Sequence, residues 1–167
     1  MSKKKILIGV GVALLLFIML AAAGGSTPKT VDQFIANYNR EIKNTLGNES
    51  LVRTCSLNNV VTNFSAAKMQ EMSNGNVAFM GTEHPESLSI GFSFSHSTSP
   101  DVVFPVMEAA ILASGEDCNN VTTKLGILNG NRYNIPGGYQ KDIQLNGKRY
   151  SLMSVEEFIM LSINIPK

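Results

Sequence analysis

The chain has 167 residues, 44% hydrophobic and 16% charged, with 14 basic and 13 acidic side chains. That balance fits a globular protein and excludes a disordered one. Lys3, Lys4 and Lys5 account for three of the basic residues, so the rest of the chain carries 11 basic against 13 acidic and is about −2. Its longest basic cluster is Lys148-Arg149. A phosphate-binding surface needs several Lys or Arg on one face, so nucleic acid is excluded as a partner.

Three lysines followed by an apolar run from Ile6 to Ala23 have the order of an export signal. Ala21-Ala22-Ala23 offers the small residues a signal peptidase accepts. The same run reaches the length of a membrane span, since 20 helical residues rise about 30 Å. Residues 1–23 are therefore read as a signal peptide or an N-terminal membrane anchor, with cleavage after Ala23 favoured. Either reading places the rest outside the cytoplasm: periplasmic or secreted if cleaved, otherwise held in the inner membrane. The membrane is then met only through residues 6–25 of an uncleaved chain. No Cys precedes position 55, which excludes a lipidated cysteine here.

Residues 24–30 read as a linker and residues 31–167 as a single α+β domain. Val31, Phe34, Ile35, Tyr38, Ile42 and Leu46 form one helical stripe. Thr30 is the expected N-cap, Gln33 completes a capping box, and Gly47 is the expected left-handed end. Residues 51–64 read as short strands carrying Cys55. "AAKMQEMSNG" reads as a turn of helix or a loop. In the next stretch Leu88, Ile90, Phe92 and Phe94 alternate with Ser87, Ser89, Gly91, Ser93 and Ser95, which predicts a half-buried antiparallel strand. His84-Pro85-Glu86-Ser87 is its hairpin turn.

"SPDVVFPVMEAAILASG" predicts a helix that starts at Pro100 under a Ser99 cap or, because interior proline breaks helices, near Pro105. A short helix with Cys118, Val121 and Leu125 should stop at Gly126. "YQKDIQLNGKRYSLMS" predicts a hairpin with a two-residue type I′ turn at Asn146-Gly147, pairing Leu145 with Lys148 and Ile143 with Tyr150. Ile159, Leu161, Ile163 and Ile165 alternate in a closing strand. Grouped elements of this kind imply a mostly antiparallel sheet, with the N-terminal helix and a central helix pair packed on one face.

Cys55 and Cys118 are the only cysteines. An even count in an oxidising compartment predicts a disulfide between them. Neither has a metal-ligand spacing, and Glu83, His84 and Glu86 match no metal motif, so no metal or other cofactor is expected. No G-x-S-x-G elbow marks a nucleophile near His84 or His96. Glu116-Asp117 suits a helix N-terminus, and Glu156-Glu157 points to opposite faces of a strand. Met69, Met72 and Met80 read as core filling. Ser87, Ser89, Ser93 and Ser95 form a small uncharged face that accepts a partner strand if it lies at a sheet edge.

The export-type opening, the order of elements, and "KLGIL" followed by "NGKRYS" resemble small bacterial cell-envelope proteins, often lipoproteins, built around a compact α+β domain. The chain departs from them in lacking the lipidated cysteine. The resemblance implies a location and no activity. The expected function is an exported, non-enzymatic envelope protein that binds another envelope or secreted protein, as an accessory subunit, inhibitor or immunity-type factor. The alternatives are a carrier of small apolar ligands and an unrecognised hydrolase.

Overall fold

Thr30 ends the extended lead-in and starts the first helix, α1 (Val31–Thr45), by accepting the Gln33 backbone N–H at 3.1 Å. The Gln33 side chain answers one residue further back than in a standard box, accepting the Lys29 N–H at 2.8 Å. The computed structural model describes residues 26–63, 67–129, 132–133 and 135–167. The signal or anchor reading of residues 1–23 lies outside them.

Val31, Phe34, Tyr38 and Ile42 lie on the buried face of α1. The helix does not end on a left-handed Gly47. The chain turns out one residue earlier, with Leu46 extended at φ −96° and buried. Sinking the Leu46 side chain into the core fixes the exit. Asn48 then caps a second helix, α2 (Glu49–Cys55), by accepting from the N–H groups of Ser50 and Leu51 at 2.9 and 3.3 Å. The predicted strand carrying Cys55 is thus a helix. Seven residues are too few for periodicity to show, and so short a helix depends on tertiary contacts. The Tyr38 hydroxyl supplies one, donating to the Cys55 carbonyl at 3.0 Å. Asn39 supplies another, accepting from the Leu57 N–H at 2.8 Å.

A seven-stranded sheet follows, made of β1 (Val61–Asn63), β2 (Ala67–Glu71), β3 (Val77–Glu83), β4 (Ser87–Ser95), β7 (Gln140–Leu145), β8 (Lys148–Ser154) and β9 (Phe158–Pro166). The spatial order is β1-β2-β3-β4-β9-β8-β7, and every neighbouring pair is antiparallel. Between the two halves of the sheet come α3 (Pro100–Ala113), α4 (Cys118–Leu125) and a small separate ladder of β5 (Leu128–Asn129) with β6 (Arg132–Tyr133). The strand β9 is inserted in the interior of the sheet between β4 and β8, paired with β4 from Ser87↔Pro166 to Ser95↔Phe158. The protein is an α+β fold.

β2 replaces the expected turn or loop. Ala, Lys, Met, Gln and Glu favour helix in isolation. Pairing with β3 from Ala67↔Thr82 to Glu71↔Ala78 overrides that preference. α3 begins at Pro100 with Ser99 accepting the Asp101 N–H, and Pro105 lies inside it. The hydrogen bond that Pro105 lacks would have ended on the carbonyl of Asp101, an exposed residue in the first turn, where water can serve it. Asp117 caps α4 by accepting the Asn120 N–H at 2.7 Å, and Gly126 ends it at φ 77°. The β7–β8 turn has Asn146 at φ 49° and Gly147 at φ 81°, as type I′ requires, and the register is the predicted one.

The helices and one sheet face enclose the core. Phe34 stacks on Phe79, with ring centroids 6.4 Å apart, and Tyr38 meets Phe92 at 5.2 Å. Gly81 lets α1 seat on β3, because a Cβ there would come within 2.7 Å of Val31 Cγ1. Buried polar groups tie the second half of the sheet to the helices. Ser114 bonds the Tyr150 hydroxyl at 2.7 Å. Lys148 pairs with Glu116 at 2.8 Å, with side chains only 5% and 7% exposed. Asn146 donates to both Glu116 oxygens at 3.1 and 3.0 Å, which answers the carboxylate's remaining acceptors. Of the predicted acidic helix start, Asp117 takes the capping role and Glu116 goes to this buried pair.

Candidate interaction face

The strand alternation that builds the core sends every second side chain to the opposite face of the sheet. There, one register row crosses all seven strands: Val61, Met69, Met80, Gly91, Ser162, Ser151, Asp142. The row is apolar at one end, small in the middle and charged at the other. Val61, Met69 and Met80 are 60%, 41% and 48% exposed, and they are the exposed large hydrophobics among the described residues. Contiguous apolar side chains on an open surface mark interaction sites, and methionine adapts its shape to a partner.

Among the hollows on this face, two flank the exposed methionines. A smaller one of about 290 Å³ lies over the centre, where Gly91, Ser151 and Ser162 leave room between Met80, Met160 and Arg149. A larger cleft of about 730 Å³ lies beside it, between the β2–β3 turn and the start of β9. Its apolar lining includes Val61, Met69, Ala78 and Phe158, and its carboxylates are Glu71 and Glu157. At the far end of the row, Ser151 and Arg149 both bond Asp142 and hold its carboxyl below the usual range, the Ser151 hydroxyl contributing most.

The serine face differs from the expectation in one respect. β4 is flanked by β3 and β9, so it is not an edge and has no open backbone row for a partner strand. The edges are β1 and β7 instead. Ser87, Ser89, Ser93 and Ser95 are half-buried on the outer face, where Ser89 accepts from Asn164 at 3.2 Å and Ser95 bonds Ser97 at 2.9 Å. The methionines also divide. Met72 is core, as expected, whereas Met69 and Met80 point outward. Strand parity decides this, since Met69 on β2 and Met80 on β3 are register partners on the outer face.

Cys55 and Cys118 are not near each other in the fold. The expectation placed Cys55 on a strand beneath a helix. It lies instead at the end of α2, while Cys118 opens α4, and α2 and α4 each pack against α3. A bridge requires Cα atoms within about 7 Å. Burial pushes the Cys55 thiol up to about 11, so it is unreactive near neutrality.

His84 is exposed in the β3–β4 turn, and His96 is exposed after β4 with its ring Nε2 against the Val155 carbonyl. Neither lines the two hollows. Glu156-Glu157 lies in the turn before β9, not on a strand. No group of three or more His, Cys, Asp or Glu side chains among the described residues is placed to hold a metal. No helix among them is long and apolar enough to cross a membrane.

Comparison with protein-family models gives no match, and no curated protein or solved structure matches the chain.

Proposed function

We propose that this chain is an exported, non-enzymatic envelope protein whose outer sheet face binds another protein, as an accessory subunit, inhibitor or immunity-type factor. The observation that carries the reading is the run of Val61, Met69 and Met80, exposed side by side on three adjacent strands. The export part rests on the sequence pattern of residues 1–23. The carrier alternative has less support, because the space between helices and sheet holds Phe34, Tyr38, Phe79, Phe92 and Phe94, all close to fully buried. The hydrolase alternative has less too, since His84 and His96 stand apart from both hollows.

The test is a photo-crosslinking amino acid placed at Met80 or, as a control, at exposed Lys124 on α4, in the full-length chain in its native cells. Adducts to one protein from position 80 and none from 124 are the expected result. Equal labelling from both positions, or none from 80, overturns the reading.

A further inference from the structure

The larger cleft has a charge pattern as well as an apolar floor. Glu71 reaches it from β2 and Glu157 from the turn before β9, and no Lys, Arg or His is among its described lining residues. Neither carboxylate has an ion-pair partner among the described residues. Asp32 and Glu83, by contrast, have one: Asp32 pairs with Lys68, and Glu83 with Lys167 at 3.8 Å. The cleft therefore presents two uncompensated negative charges beside exposed Val61 and Met69.

We infer that this cleft is a docking site for a basic, apolar-flanked peptide segment of a partner protein, with one Lys or Arg at Glu71 and a second at Glu157. The inference rests on the protein-binding reading above and names the chemistry of the partner. Two arguments favour a peptide over a small cation. β2, which carries Glu71, and β9, which Glu157 directly precedes, are three positions apart in the sheet order, about 14 Å across the sheet at 4.8 Å per strand. That span suits four to five residues of extended chain at about 3.3 Å each, and exceeds a compact single cation. The floor between the carboxylates carries Ala78 and Phe158, which suits an apolar side chain between the two basic ones. The paired carboxylates also select against acidic partners, since like charges across an interface are repelled.

A random peptide library is panned on the full-length chain. Enriched peptides should carry two Lys or Arg four to five residues apart with an apolar residue between them. They should bind the Glu71→Gln/Glu157→Gln variant about tenfold more weakly, and the preference should shrink with added salt. Both positions are exposed, so the variant should fold; its circular dichroism and melting curve check this. Enriched peptides without basic residues, lost on Met69→Ser/Met80→Ser but not on the Gln variant, overturn the basic-segment inference and leave the protein-binding reading standing. Binding of dodecylamine at the cleft with no enriched peptide overturns the peptide in favour of a small cationic amphiphile. No enrichment, together with no crosslink from position 80, overturns both readings.

Discussion

Along β4, Leu88, Ile90, Phe92 and Phe94 are almost fully buried, while Ser87, Ser89, Ser93 and Ser95, one residue away, are half-buried on the other side. The same backbone thus serves two surfaces with different constraints. On the helix side each position touches several neighbours, and its shape is set by packing. On the outer side side-chain size varies freely, and here it runs from methionine through glycine and serine to aspartate across one row. That difference separates what holds the fold from what is available to a partner.

The comparison breaks most sharply at Phe92. Phe92→Ala should destabilise by about 4 kcal/mol, because it opens a cavity among Phe34, Tyr38 and Phe79. Ser93→Ala, one residue away, should change stability by less than about 0.5 kcal/mol. Urea denaturation of both variants measures the contrast, and equal losses would mean that the outer face is packed as well.

Next comes the buried pair. Glu116→Ala leaves the Lys148 ammonium nearly fully enclosed and should cost about 3 kcal/mol. Glu116→Leu combined with Lys148→Met should recover most of that loss, because the penalty comes from stranding one charge. A double-mutant cycle in denaturant reads both effects. Tyr150→Phe removes the bond to Ser114 Oγ, which still donates to the Ile111 carbonyl at 2.6 Å, so the loss should be only about 1 kcal/mol.

The Cys55 thiol gives a pH signature of the core. Its pKa is raised from 9.0 to about 11 by burial, so the folded state holds the proton more tightly than the unfolded one. The resulting stability is complete below the unfolded value and is lost as pH rises through the folded one. Between pH 8 and 10 the native chain should lose about 1 kcal/mol more than a Cys55→Ala variant. Parallel curves would mean that the thiol is not desolvated.

The smallest stability effect belongs to the outer face. Met80→Ser should leave the melting temperature within about 2 °C, since Met80 is 48% exposed. If it also abolishes the position-80 crosslinks while Phe92 variants act only through unfolding, the two faces are functionally distinct.

The elements legible in the sequence were those with a strong local signal. The Thr30 cap, the β3–β4 hairpin, Gly126 and the Asn146-Gly147 turn all lie where residue chemistry restricts the backbone. Asn48 was a missed cap, which would have flagged α2 despite its seven residues. β2 was unreadable because its composition favours helix and only the partner β3 makes it a strand. The outward Met69 follows from that, as parity has no meaning until the strand exists.

Amphipathic alternation in β4 and β9, helix periodicity in α1 and the antiparallel class were determined by the sequence itself, because solvent partition and turn sterics act over a few residues. Sheet order was not. It placed β9 beside β4, took the serine strand away from the edge, kept Cys55 from Cys118 and joined Glu116 to Lys148. Each of these depends on contacts between residues distant in the chain, and such contacts are chosen by how the whole core closes.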